Sequence, residues 1–210
     1  MSARLKLYDL APSPNNMKAR IALNYKEIPF EKIPVSMESD RSDVIKSSGQ
    51  PLTPVLVDGD RVIWDSSAIL RYLEGNFRSS RPIFSTDYNT MQEIEEWEEL
   101  GRTALVNSVG MAFGQFFAAQ KDATVTAKAS AMLNENTARI EERLAKGDWL
   151  VGDHMTAADI SCAPMAFYGM LTAEQAAISP LHTFFCASLK LGDGRDKTRA
   201  WVGRVMAYDK

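Results

Sequence analysis

The chain has 210 residues, 45% hydrophobic and 24% charged, with a formal net charge of −3, enough material to bury a core in one large domain or two small ones. The mild acidic balance, without a clustered Lys/Arg stripe, argues against nucleic acid as a partner, and no stretch approaches the ~18 consecutive apolar residues of a membrane span. Cys162, Cys186, His154 and His182 show no paired spacing, so neither a disulfide framework nor a metal site is expected.

The opening "MSARLKLYDL" lacks the apolar centre of a signal peptide, which points to a cytoplasmic protein. Leu5, Leu7 and Leu10 predict a strand there. A turn follows at "APSPNN", and from Asn15 the pattern becomes helical, with Met17, Ile21 and Tyr25 on one stripe. The prolines of "EIPFEKIPV" favour an extended segment. A short helix is expected around Asp40 to Lys46, then the Thr53-Pro54 step and a hairpin turning at Asp58-Gly59. A further helix begins at Ser66, with Ile69, Leu70 and Leu73 on one face, and "EGNFRSSRPIFSTD" has the content of an interdomain linker.

Beyond the linker the signals are helical. "MQEIEEWEEL" runs on into "ALVNSVGMAFGQFFAA", and a second run from Val125 to Leu144 is followed by Gly147, expected as a left-handed cap. A last amphipathic run carries Trp201, Val202, Val205 and Met206. The predicted fold is α/β plus all-α: a βαβαββα unit with a mixed sheet over residues 1–80 and an all-α domain over residues 87–210, divided near residues 78–86.

Three places offer chemistry. Ser13 followed by Pro14 has the composition of a helix N-cap with proline at the first helical position, and a helix N-terminus also stabilises negative charge nearby. Asp65-Ser66 precedes Ile69 in the same manner and serves equally as a cap. Thr156-Ala157-Ala158-Asp159 has the spacing of a capping box and reads as structural.

Three quoted stretches, "SPNNMKARIAL", "LTPVLVDGDRVIWDSSAILRYLE" and "WLVGDHMTAADIS", together resemble the cytosolic glutathione transferase family over nearly the whole chain, in its Ser-type subset. The resemblance implies a thioredoxin-like N-terminal domain that binds glutathione and an α-helical domain that supplies an apolar site. It further implies that Ser13 donates a hydrogen bond to the glutathione thiolate, with Asn16 as the rival donor. Asp65 and Ser66 would grip the γ-glutamyl carboxylate and amine. The turn at Thr53, Pro54 and Val55, with Pro54 in the cis form, would give backbone hydrogen bonds from Val55 to the cysteinyl part, and Gln50, with Lys46, would approach the glycyl carboxylate. Met111, Gln115 and Tyr168 are possible contacts for the second substrate, a small hydrophobic electrophile, with core packing expected for at least half of such residues. Glutathione is expected as co-substrate with no metal, and the family resemblance implies a homodimer engaged in detoxification.

Lowering a thiol pKa from about 8.5 by about two units needs roughly 2.7 kcal/mol. One charge-assisted hydrogen bond gives roughly 1.5 to 3 kcal/mol and a helix terminus roughly 0.3 to 1, so the sum reaches the need. The loop "SPNN" has no thiol, and a hydroxyl forms no mixed disulfide, which disfavours dithiol reductase chemistry while leaving exchange between two bound glutathione molecules open. The rival readings are a glutathione-dependent isomerase, disulfide reductase or peroxidase, and a non-catalytic binding or scaffold protein on the same fold.

Overall fold

The structure is a computed structural model that describes residues 5–78 and 80–210. Two compact units result: the chain to Phe84 together with Ala207–Lys210, and Ser85–Met206. The sequence reading assigns everything after residue 87 to one domain; the last four residues instead pack with the first unit, held by hydrogen bonds to charged and amide side chains that no local pattern announces.

In the first unit the order is β1 (Leu5–Asp9), α1 (Pro14–Tyr25), β2 (Phe30–Pro34), α2 (Ser42–Ser48), β3 (Val55–Asp58), β4 (Arg61–Trp64) and α3 (Ser66–Asn76). The four strands form one sheet in the order β2-β1-β3-β4. β1 runs parallel to β2 and antiparallel to β3, so the sheet is mixed and the β1–β2 connection must cross over through α1. Leu5 and Leu7 are buried and the Lys6 between them is exposed, the alternation of a half-covered strand. Met17, Ile21 and Tyr25 are buried as the stripe predicts. Lys26 is buried as well, its ammonium on Glu74 of α3 (2.9 Å) and the Arg81 carbonyl (2.8 Å), because a buried cation must find both charge and hydrogen-bond acceptors. The hairpin closes with Asp58 opposite Arg61, and Gly59 takes φ +58, a conformation that glycine adopts without steric cost. The second helix begins two residues later than its expected start, at Ser42, with Arg41 before it in the left-handed region.

The second unit holds α4 (Tyr88–Leu100), a π-helical turn at Gly101–Leu105, α5 (Val106–Phe117), α6 (Ala123–Leu144), α7 (Ala157–Phe167), α8 (Ala173–Ala176), α9 (Pro180–Ser188) and α10 (Asp196–Met206). α7 is buried on all sides from Ala157 to Ala166, so its apolar residues run all round the helix rather than along one stripe. The π turn lies where the chain passes α7: a Cβ placed on Gly101 would stand 2.6 Å from the Ser161 carbonyl oxygen, and only glycine permits that approach. Gly147 is not a left-handed cap. α6 ends at Ala145 in the right-handed region, and Arg143 donates from Nε to the Leu150 carbonyl (2.7 Å), holding the following loop instead. Among the described residues no helix is long and apolar enough to cross a membrane.

Asp159, fully buried, is the polar centre of this unit. It accepts from the Leu150 N–H (3.0 Å), the Thr156 N–H (2.9 Å) and hydroxyl (3.1 Å), and the Trp201 indole N–H of α10 (2.8 Å). The capping box of the sequence is therefore also the tie between α7, α10 and the preceding loop. Replacing Asp159 by Ala strands several buried donors, a loss of roughly 3 kcal/mol or more, and the melting temperature is expected to fall by about 6–12 °C. Calorimetry reads this directly, and an unchanged transition overturns the assignment.

Candidate functional site

The residues expected to hold glutathione lie in the first unit, at the start of α1, before and at the start of β3, and at the start of α3. Ser13 is the N-cap of α1, half-buried, at φ −85° and ψ 122°. Its carbonyl accepts from the N–H groups of Asn16 and Met17, both at 3.0 Å, and its N–H donates to the Leu10 carbonyl at 2.9 Å. Its hydroxyl makes no capping bond. Pro14 at the first helical position removes one of the N–H groups a helix start leaves open, the Ser13 carbonyl takes those of Asn16 and Met17, and the Ser13 side chain makes no cap bond.

Asn16 stands differently. It is fully buried, its Oδ1 accepts from the Leu10 N–H (3.0 Å) and its Nδ2 donates to the Thr53 hydroxyl (3.1 Å). The amide bridges the β1–α1 loop and the bend before β3. A side chain so placed fixes the loop and presents no surface to a ligand.

The Thr53–Pro54 peptide bond is cis. Val55 lies wholly inside the sheet, between Tyr8 of β1 and Trp64 of β4, so its peptide groups meet a neighbouring strand. Thr53 lies two residues outside the ladder, and among the described residues its peptide N–H and carbonyl take no hydrogen bond. Gln50 turns back on its own loop, donating to the Ser48 hydroxyl (2.9 Å) and the Leu52 carbonyl (3.0 Å) and accepting from the Leu52 N–H (2.6 Å). Lys46 is exposed on the last turn of α2.

At the start of α3, Asp65 caps the helix through one oxygen: Oδ1 accepts from the N–H groups of Ser67 (2.9 Å) and Ala68 (3.2 Å). Oδ2 has no donor among the described residues. Its backbone is at φ +76° and ψ 126°, a region costly for a residue with a Cβ. Ser66 is buried next to it at 6% exposure, and no side chain or peptide among the described residues takes up its hydroxyl.

Arg41, absent from the sequence expectations, is a further candidate. One guanidinium nitrogen, Nη1, is buried without a hydrogen-bond partner among the described residues. The residue lines a cavity of about 90 Å³ with Tyr8, Pro34, Val35 and Ser39, beyond the carboxyl ends of the parallel strands β1 and β2, where open α/β sheets bind ligands. In "ESDRSD" the arginine sits among carboxylates and reads as a solvated charge; the left-handed backbone at φ +62°, which carries it inward, has no sequence signal.

Of the second-substrate candidates, Tyr168 is core, fully buried and edge-on to Phe185 at 4.7 Å. Gln115 accepts from the Asp122 N–H at 2.7 Å and holds a turn. Met111 lines an open groove between α5 and α6 with Asn107, Gly110, Lys128 and Met132. Among the described residues no group of three or more His, Cys, Asp or Glu side chains is arranged to hold a metal ion.

Comparison with known proteins gives a consistent picture. Residues 7–81 match the model of the glutathione S-transferase N-terminal domain and residues 100–209 that of the C-terminal domain. The chain is 31% identical over 172 residues to glutathione S-transferase Z2 of Arabidopsis thaliana, covering 77% of this chain and 75% of that protein. To glutathione S-transferase 3 of Zea mays it is 29% identical over 169 residues, covering 77% and 76%. The solved structure of Ure2p in complex with glutathione superposes with a TM-score of 0.75 at 19% identity over 98% of this chain and 95% of that one.

The cap and the strain at Asp65 separate by substitution. Asp65→Ala loses the cap and keeps the unfavourable φ, and is expected to lower stability by about 1–2 kcal/mol. Asp65→Gly relieves the φ and should stay within about 0.5 kcal/mol of the parent. Urea denaturation of the two variants checks the order, and equal losses would contradict it.

Proposed function

This chain belongs to the glutathione S-transferase family, and on that premise we propose that it binds glutathione on the first unit and ionises the thiol beside Ser13 for attack on a small hydrophobic electrophile. The observation that carries the proposal is the Ser13 hydroxyl, held at the N-terminus of α1 and free of any capping bond. A hydroxyl in that place donates to a thiolate while the first-turn N–H groups add their dipole. The enzyme supplies pKa lowering and proximity, and the sulfur bonds directly to the electrophilic carbon, with the leaving group departing and no covalent enzyme intermediate.

The remaining groups suit the rest of the tripeptide. Glutathione has a carboxylate at each end, an ammonium at one of them and two amide linkages. The unused Oδ2 of Asp65 suits the ammonium, and the Ser66 hydroxyl and N–H at the start of α3 suit the adjacent carboxylate. The open peptide groups of Thr53 suit the cysteinyl backbone, a strand-like pairing. The unpaired nitrogen of Arg41 suits the glycyl carboxylate, since a buried guanidinium N–H gains most from an anionic acceptor. On this reading Asn16, Val55 and Gln50 shape the loops and leave the ligand contacts to their neighbours.

Two tests bear on this reading. Ser13→Ala is expected to raise the apparent pKa of bound glutathione by about 1–2 units. Turnover at neutral pH should fall about 10- to 100-fold, with little change in glutathione affinity. Ultraviolet titration of the thiolate band reads the pKa, and an unchanged midpoint removes Ser13 from the chemistry. If wild-type protein saturated with glutathione shows no thiolate band at all, the non-catalytic reading replaces the enzymatic one. Separately, Arg41→Gln and Ser66→Ala should each weaken glutathione binding, Arg41→Gln by about 10- to 100-fold. Isothermal calorimetry giving wild-type affinity for either variant would refute its placement.

A further inference from the structure

Residues 207–210 form a clasp on α1. Asp209 takes the Arg20 guanidinium as a fork, with Nε donating to Oδ1 (2.6 Å) and Nη2 to Oδ2 (3.1 Å). The Tyr208 carbonyl accepts from Asn24 Nδ2 at 2.8 Å, and the Tyr208 ring meets Tyr25 edge-on at 5.3 Å. Arg20 and Asn24 are one turn apart, so the clasp grips a single face of the helix.

The same guanidinium reaches the loop that carries Ser13. Arg20 Nη1 donates to the Asp9 carboxylate at the end of β1, and Nη2 donates to the Ala11 carbonyl at 3.0 Å. Arg20 is only 4% exposed. The two carboxylates take different nitrogens of one planar group: Asp209 holds the Nε and Nη2 edge, Asp9 holds Nη1, and Nη2 also reaches the Ala11 carbonyl. Without Asp209 the guanidinium has Asp9 as its sole carboxylate partner among the described residues, and the fork is free to swing into two-point pairing with it, away from Ala11.

We infer that Asp209 is a positioning residue for Ser13, acting through Arg20 and the Ala11 carbonyl two residues ahead of the hydroxyl. The inference rests on the Ser13 reading above. Its sign separates it from a charge effect. Asp209 is an anion, so its field opposes the thiolate, and deleting it would by charge alone favour ionisation. Loss of positioning does the opposite.

The experiment uses Asp209→Ala in the full chain, beside Ser13→Ala and the double variant. The first readout, without glutathione, is amide hydrogen exchange over Leu10 to Asn16. The Ser13 N–H bonded to Leu10 and the Leu10 N–H bonded to Asn16 should exchange roughly three- to tenfold faster in Asp209→Ala, the scale of one displaced hydrogen bond. The second readout is the thiolate titration, in which Asp209→Ala should reduce the thiolate fraction at neutral pH roughly three- to tenfold and the double variant should lose no more than Ser13→Ala alone. A thiolate fraction in Asp209→Ala that is unchanged or increased, with Ser13→Ala still impaired, overturns the clasp and leaves the Ser13 reading standing. A Ser13→Ala titration identical to wild type overturns the Ser13 reading, and the exchange data then judge the clasp alone: unchanged protection refutes it. Asn24→Ala, which frees Tyr208 without touching the guanidinium, should accelerate the same amides to a smaller degree. It takes over the test if Asp209→Ala does not fold, with wild-type protection again counting against the clasp.

Discussion

A guanidinium buried to the extent of Arg20 obliges the chain to bring it charge and acceptors, because an uncompensated cation in the interior costs several kcal/mol. The partners come from three separate places: Asp9 at the end of β1, the Ala11 carbonyl in the following loop, and Asp209 near the other end of the sequence. Burial works against the Arg20 charge, and the two carboxylates more than offset it, so the group holds its proton more tightly than usual. That one cation ties the β1–α1 loop to the end of β1 and to Asp209.

Asn16 completes the same loop from the inside. Its amide joins the Leu10 N–H to the Thr53 hydroxyl, so the turn before α1 and the bend before β3 keep a fixed separation. The two helix starts beside these bends then differ in a way that matters for chemistry. At α3 the cap is filled by one oxygen of Asp65, leaving the other for a cation. At α1 the first-turn N–H groups of Asn16 and Met17 go to the Ser13 carbonyl, and the Ser13 hydroxyl, which makes no cap bond, keeps its donor. Local backbone chemistry thus creates two polar groups with unfilled valence on the same unit.

The helical unit relies on a different device. Four donors converge on Asp159, and although burial pushes its carboxyl above the usual range, those donors oppose the rise. Gly101 lets a π turn press against Ser161 of α7. Asp159 succeeds through its bonds, and the approach of Gly101 to the Ser161 carbonyl succeeds because glycine has no Cβ.

What the sequence by itself determined is what depends on neighbours a few residues apart. The βαβαββα order, the hairpin at Asp58, the start of α3 at Ser66, the capping box at Thr156 and the membership in a transferase family all rest on periodicity, caps and contiguous motifs. The fate of long-range partners was decided only by the tertiary structure. Arg20 and Arg41 look like solvated charges in a helix and a polar loop, yet one finds Asp209 at a separation of 189 residues and the other is carried inward by a left-handed turn. Asn16, Gln50 and Val55 carry the right chemistry for a ligand, but their groups are taken up by Thr53, Leu52 and the adjoining strands. A side chain's type is written in the sequence; whether its hydrogen bonds are already satisfied depends on segments that only folding brings together.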